Sequence, residues 1–364
     1  MATYTYLFAD LRSGVVINEL ALYGTSFARE LNKFGDWTGT IGLDNETMRN
    51  KDIKDCTIPG RTAIYVDRDG VIVYAGVVWT RTYASQGKTI QLTGQDLSSY
   101  FNKRFISGRF ATRDFIQTDQ LAIAQSLLNQ AQAAVGGDIG VIVPSNTSGR
   151  LRDRSYPGNE LKPVAEAISQ AADNIDGYDW EIDASYNTDM SIIKSARFGY
   201  PYLGRAPQGT DLVWDYPGSI TEYWWSESAS DGASSMWAVG AGDGDTALMG
   251  VADNNTLLSN GYPILESQNS YSDVSIQDTI DGHAQEDLRN APMPVLSPTI
   301  HVRADIEPVF GSYDLGDHAK FVIVDPWFEE QFTVTRRIMG WRLTPSSSSE
   351  METVDLTTAV PYGG

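Results

Sequence analysis

Three histidines, His283, His301 and His318, are the side chains best suited to acid–base or metal chemistry near neutral pH. A hydrolytic triad or a zinc centre would need a nucleophile or further ligands beside at least one of them. The three fall on a predicted helix, a strand and a loop. No His-Glu-x-x-His, Gly-x-Ser-x-Gly or Gly-x-x-x-x-Gly-Lys arrangement occurs in the sequence. Ordinary surface or hydrogen-bonded histidines are therefore expected. Carboxylate pairs such as Asp179 with Glu181, or Glu329 with Glu330, could serve glycoside hydrolysis only if their carboxyls stood ~5–9 Å apart across a cleft. Exposed acidic pairs are the plainer expectation in so acidic a chain. Gly240-Ala-Gly-Asp-Gly-Asp245 resembles a dinucleotide or calcium loop superficially, but no helix follows and the closing Glu of a calcium loop is missing. A hairpin tip is expected, with weak calcium binding by Asp243 and Asp245 as the minor alternative. Tyr223, Trp224, Trp225 and Trp237 could form a sugar platform, although an aromatic core or subunit interface suits alternate strand residues better. No residue is assigned to catalysis, cofactor binding or metal ligation, and no cofactor is expected.

Composition narrows the classes further. A chain of 364 residues, at about 150 per domain, suggests two or three domains. With 41% hydrophobic and 20% charged residues it has the mixture of a globular protein rather than a disordered one. Its 47 acidic and 27 basic residues give a net charge of −20, which opposes gripping a phosphate backbone and would suit a surface that DNA passes without sticking. Cys56 is the single cysteine, so no intrachain disulfide and no zinc site of several thiolates can form. The longest apolar stretch, Val71 to Trp79, is interrupted by Gly76 and falls well short of the ~20 residues of a membrane-spanning helix. The start, Met1 to Phe8, has neither the basic nor the apolar region of a secretory leader, so none is expected.

The elements that would position these residues are mostly strands. Arg61 to Val66, Val71 to Tyr83 and Lys88 to Thr93 form a predicted three-stranded meander, turning at Asp69-Gly70 and at Ala84 to Gly87. Gly14 to Leu20 and Gly39 to Leu43 read as earlier strands. Leu121, Ala124, Leu128, Ala131 and Val135 recur at helical spacing after Asp119 and stop at Gly136-Gly137. A second helical face runs through Leu161, Val164, Ala165, Ile168, Ala172 and Ile175, with Asn159 near its cap and Pro163 in its first turn. A hairpin follows at Tyr178 to Ile182 and Met190 to Phe198. Aromatic strands at Thr221 to Glu227 and Ser235 to Gly240 precede a third helix from Ser275 to Asn290, ended by Pro292 and Pro294. Thr299 to Ile306, His318 to Val324, Gln331 to Thr344 and Met351 to Thr357 return the chain to β structure, with turns at Asp325-Pro326 and Ser346 to Ser349. The meander at residues 63–93 and the segment 320–357 share an order: a strand ending near Val-Asp, a long strand containing Thr-Arg (Thr80-Arg81 and Thr335-Arg336), and a strand ending Leu-Thr. Duplicated modules and coincidence between generic meanders both fit that order.

Three passages carry a family resemblance: Gly60-Arg61 through Tyr83 with Arg68-Asp69-Gly70, Leu92 through Ile106, and Gly311-Ser-Tyr-Asp-Leu-Gly-Asp317. In order and spacing they make the chain similar to the central hub proteins of phage tail tips, especially actinobacteriophage minor tail proteins, which are related to baseplate hubs. Where such hubs often have Pro-Gly-Asp, this chain has Leu315-Gly316-Asp317. The resemblance implies a mainly β fold with an α+β insertion: β-barrel-like hub domains at 1–107 and 206–364, the latter with a helix near 275–290, and a small α/β domain at 108–205 between them. It implies a non-enzymatic homotrimer in which paired barrels imitate sixfold symmetry and each subunit needs two different complementary patches. Such a subunit sits in the virion tail tip after assembly in the host cytoplasm. It meets distal-tail or tail-tube proteins, the tape-measure protein and other tip proteins, and lets DNA through without specific binding or integral membrane insertion. Because the chain ends at Gly364 with no long extension, peptidoglycan cleavage and receptor binding are not carried over. A cell-wall glycan hydrolase or carbohydrate-binding protein is the alternative, and a hexameric distal-tail ring protein a third.

Overall fold

A computed structural model describes residues 2–43, 51–173, 176–230, 232–272, 274, 276–291, 295–296, 298–328, 330–346 and 351–361. Expectations resting on Met1, Ile175, Ser275, Pro292, Pro294, Glu329, residues 347–349 and Gly364 lie outside the described residues. The chain forms two compact units, one of Met1–Glu222 with Ile300–Gly364 and one of Tyr223–Thr299.

The first unit opens with strands β1 (Tyr4–Asp10), β2 (Val16–Glu19), β3 (Tyr23–Glu30) and β4 (Asp36–Gly42). A single helical turn, α1 (Ile53–Cys56), then leads to the meander β5 (Thr62–Arg68), β6 (Val71–Ala84) and β7 (Thr89–Asp96). Asp69 and Gly70 alone join β5 to β6, at φ of 54° and 87°, with Arg68 opposite Val71. Both positive φ values fit a type I′ turn, whose twist matches the flanking strands. A 3₁₀ turn at Leu97–Lys103 buries Leu97 and Phe101 and passes the chain to the middle segment.

That segment contains β8 (Asp114–Asp119), α2 (Gln120–Ala133), β9 (Val141–Ile142), β10 (Leu151–Ser155), α3 (Val164–Ala172), β11 (Asp179–Tyr186) and β12 (Ile192–Gly199). Asp119 caps α2, its carboxylate accepting from the Leu121 N–H at 2.9 Å. Two sequence expectations need correction. Val135 lies beyond α2 and is fully exposed, because the backbone is already extended at Ala134. The next helix begins at Val164, with Pro163 in the cap position, so Asn159 does not cap it and Leu161 stands outside it, exposed and at φ 50°. Proline disfavours helical backbone at the residue before it, which stops α3 from growing backwards through Lys162.

The chain continues through β13 (Val213–Tyr216) and β14 (Ile220–Trp224) into the second unit. There it forms β15 (Glu227–Ser228), β16 (Ser235–Val239), β17 (Met249–Asp253), α4 (Asn255–Ser259), β18 (Glu266–Ser270), α5 (Gln277–Asn290) and β19 (Val295–Leu296). The first unit is completed by β20 (Thr299–Arg303), β21 (His318–Ile323), β22 (Phe332–Leu343) and β23 (Thr353–Ala359).

One sheet of thirteen strands runs through the first unit in the order β14-β20-β23-β22-β3-β4-β7-β6-β5-β1-β2, with β21 pairing β22 and β13 pairing β21. The two meanders therefore share a neighbour pattern. In one half β4-β7-β6-β5-β1 lie side by side, in the other β20-β23-β22-β21-β13. Each has a register shift where its second strand meets its third, at Val78/Thr80 and at Ile338/Gly340. The two Thr-Arg pairs do not coincide when these shifts are superposed. Thr80-Arg81 lie past the shift, whereas Thr335-Arg336 lie before it, opposite β21. The fold is mainly β, with the helices of the middle segment and of the second unit as its α component.

Apolar packing follows the sheet. Trp214 stacks on Phe321 at 5.5 Å and meets Tyr313 edge-on at 5.0 Å, and Trp341 meets Phe310 at 5.0 Å and Phe27 at 6.1 Å. Among the described residues no helix is long and apolar enough to cross a membrane.

Candidate functional site

The most concentrated chemistry in the first unit is a junction of charges where β3, β11, β12, β22 and the loop at 311–317 converge. Alternation along β11 places Asp179, Glu181 and Asp183 on one face. Arg29 on β3 reaches Glu181 at 2.6 Å, Asp183 at 3.2 Å and Asp314 at 3.8 Å. Arg197 on β12 reaches Glu181 at 2.8 Å and also pairs with Asp314, while Arg337 on β22 pairs with Asp179. The Leu203 N–H donates to Asp179 at 2.6 Å, and Asn32 donates to its other oxygen at 3.3 Å.

Burial dominates the electrostatics here. It opposes the positive charge on Arg29, yet Asp183, Glu181 and Asp314 together hold that guanidinium more firmly protonated than usual. Burial pushes the Glu181 carboxyl up to about 7 against the pull of Arg29. Asp314 is also penalised by burial, but Arg29 and Arg197 bring it below the ordinary carboxylate range. Both oxygens of Glu181 lie against arginines, and those of Asp179 are taken by Arg337, the Leu203 N–H and Asn32, so neither carboxyl is free to act as nucleophile or general base. Asp179 and Glu181 are thus partners in a structural network rather than two carboxyls facing each other across an open cleft.

The three passages of the family resemblance supply the frame of the first unit. Arg68, just ahead of the Asp-Gly turn, reaches Glu352 at 2.7 Å beside Tyr4 and lies 5.6 Å from the Phe310 ring. One arginine thereby ties the N-terminal meander to the C-terminal strands. Asp96, in Leu92 to Ile106, caps the 3₁₀ turn: its carboxylate accepts from the Ser98 N–H at 3.0 Å and from the Gly35 N–H at 2.6 Å. Burial raises its pKa to about 6 despite those donors. In Leu315-Gly316-Asp317, Gly316 and Gly204 have φ of 85° and 89° and their chains nearly touch. A Cβ on Gly204 would overlap the Gly316 and Asp317 backbone, and one on Gly316 would overlap the Leu203 carbonyl. Asp317 then accepts from the Arg205 N–H at 2.7 Å and the Asp314 N–H at 3.0 Å.

The histidines share no site. His318 is buried at the start of β21, with Nδ1 2.7 Å from the Arg205 carbonyl, and burial lowers its pKa. His301 lies on β20, 3.3 Å from Asp355, and His283 stacks on Tyr271 at 4.0 Å on α5. Gly240 to Asp245 lies in the connection of the β16–β17 hairpin, with Asp243 and Asp245 exposed. Trp224 is half-exposed at the end of β14, and Trp237 lies on β16. Cys56 is buried in α1, and burial pushes its thiol up, away from reactivity. Glu330 is exposed. Among the described residues no group of three or more His, Cys, Asp or Glu could hold a metal. Sequence reasoning missed the arginines Arg29, Arg197 and Arg337. The signal available was Asp179-x-Glu181-x-Asp183 interleaved with Trp180 and Ile182, a strand that can be buried on both faces only if cations arrive.

No protein-family model and no curated protein sequence matches the chain. Solved structures do. The tail protein from Neisseria meningitidis is similar over 97% of this chain and 96% of its own, with a TM-score of 0.62 at 14% identity. The 43 kDa tail protein of prophage MuSo2 from Shewanella oneidensis is similar over 99% of both chains, with a TM-score of 0.61 at 12% identity. The prophage tail protein gp18 from Listeria monocytogenes covers 97% of this chain and 94% of its own, with a TM-score of 0.55 at 10% identity. This chain has the fold of phage tail proteins, as its sequence resemblance to tail-tip hubs implied.

Proposed function

We propose that this chain is a non-enzymatic structural subunit of a phage-type tail tip, the central hub that closes the tail tube and converts sixfold into threefold symmetry. The observation that carries the reading is the paired meander pattern, β4-β7-β6-β5-β1 and β20-β23-β22-β21-β13, in a chain whose fold matches tail proteins end to end. Two similar but unequal modules per chain give three copies six positions around an axis, and head-to-tail closure needs two unlike patches on each. In this reading the ring uses the end modules, at 1–107 and 206–364, and the α/β domain at 108–205 packs outside or below it. Its neighbours are distal-tail or tail-tube proteins, the tape-measure protein and other tip proteins, and its place is the virion tail. DNA passes through without specific binding, helped by the net charge of −20.

The test is the native mass of the chain co-purified with a tail-tube or distal-tail protein from the same genome. Three copies of this chain on a sixfold partner are expected. Six copies would favour a distal-tail ring. Clearing of cell-wall glycan by the purified chain in zymography would favour the hydrolase alternative, which the arginine-bound Asp179 and Glu181 speak against.

A further inference from the structure

The second unit is built as half of a sandwich. β16 lies between β17 and β18, and residues along each strand face alternately to either side. Ala238 packs with the buried Ile280 and Ala284 of α5, and Ala252 packs against that cluster. Gly250 lets the helix come this close, since a Cβ there would meet Ile280 and Asp281 at 2.8–2.9 Å. On the opposite face Trp237 and Val239 are only half-buried. Register places Trp237 opposite Val251 and Val239 opposite Met249, which makes one apolar patch of four side chains. Met249 is 51% and Val251 49% exposed. Glu266 borders the patch, accepting from the Trp237 indole at 2.8 Å.

The charge of this unit indicates what would cover that face. Residues 223–299 hold eleven acidic residues and one basic residue, Arg289, whose guanidinium is 3.1 Å from Glu286. About a fifth of the chain thus carries half of its net charge of −20. A second copy of the same face, nucleic acid or an anionic lipid surface would be repelled. We infer that the open face of the β17-β16-β18 sheet docks a segment of another protein that presents Lys or Arg alternating with large apolar side chains. The apolar residues cover Trp237, Val239, Met249 and Val251, and the cations meet Asp253 and Glu266, which flank Ser235 on the same face. This goes beyond the hub assignment and does not depend on it.

The test is fluorescence anisotropy of labelled peptides with the full-length chain. Four Lys-Leu repeats should bind about tenfold more tightly than four Lys-Ser repeats, weaken as salt screens the charges, and lose most of that margin against M249S/V251S. Four Glu-Leu repeats should not bind. Equal binding of the Lys-Leu and Lys-Ser peptides would reduce the effect to bulk charge and overturn the proposal. Unchanged Lys-Leu binding by M249S/V251S would place it elsewhere and overturn it too. Because Met249 and Val251 are half-exposed, M249S/V251S should keep the parent's melting temperature, which separates loss of the face from loss of fold.

Discussion

The N-terminal meander β5-β6-β7 and the C-terminal meander β21-β22-β23 have the same strand order and a register shift in the same ladder, yet they are held together differently. The first is continuous with its neighbours: a two-residue turn joins β5 to β6, β1 pairs β5 antiparallel along seven residues, and Tyr65, Tyr74 and Val77 are fully buried. The second is divided. β22 gives residues 332–337 to β21 and residues 340–343 to β3, β21 takes a parallel neighbour in β13, and residues 324–331 separate β21 from β22. What local pairing does for the N-terminal meander, ion pairs with distant segments do around the C-terminal one: Arg337 on β22 pairs with Asp179, Arg29 and Arg197 with Asp314 ahead of β21, and Arg68 with Glu352 ahead of β23. A module that depends on side chains from elsewhere can be matched to a different neighbour without rebuilding its strands, which is what two unlike faces of one subunit would require.

Changes that break this asymmetry should fall unequally on the two halves. Removing Arg29 leaves the buried Glu181, with Asp183 and Asp314, to Arg197 alone, so R29M should lose ~3 kcal/mol in urea unfolding. R81M, in the N-terminal Thr-Arg pair, loses only hydrogen bonds to the carbonyls of Lys54 and Thr57 and to the Thr57 hydroxyl, and should cost ~1 kcal/mol. Equal losses would remove the distinction. The connections between first and second strands should differ in the opposite direction. G70A forces a side chain into positive φ at a tight turn and should cost ~1–2 kcal/mol, whereas W327S, in the longer C-terminal connection with Trp327 70% exposed, should stay within ~0.5 kcal/mol.

Acidity should sharpen the contrast with a smaller effect of opposite sign in each half. Asp96 has a raised pKa in the folded chain, so its contribution is full below the ordinary carboxylate value of 3.8 and is lost as pH rises through about 6. His318 has a lowered pKa, so its contribution is present above 6.5 and is lost as pH falls through the depressed folded value. Melting temperatures measured across this range should show D96N losing the gain on acidification and H318Q losing the penalty. Shifts of the same sign in both variants would contradict the assignment.

Much of this architecture was legible because strand signals in the chain are local. Asp69-Gly70, the β-branched runs on either side and the strands after residue 299 locate both meanders with only the ends displaced. Asp119 and the apolar period behind it marked α2. Strands without such a signal were not legible, β10 (Leu-Arg-Asp-Arg-Ser) and β18 (Glu-Ser-Gln-Asn-Ser) among them, since each depends on its neighbour rather than on its own apolar content. The Thr-Arg correspondence misled because spacing along a strand does not reveal where a register shift falls. The charged junction was hidden for a similar reason: Arg29 and Glu181 are 152 residues apart, and nothing local to either names the other.

The two meanders should occupy alternating places around one axis, and a cryo-EM map of the particle tip, averaged with threefold symmetry, tests this directly. Three copies of this chain forming a collar of six similar β modules, alternately β5-β6-β7 and β21-β22-β23, is the expected density. A collar built from six copies through a single module, or a tip with no threefold ring containing this chain, would contradict it.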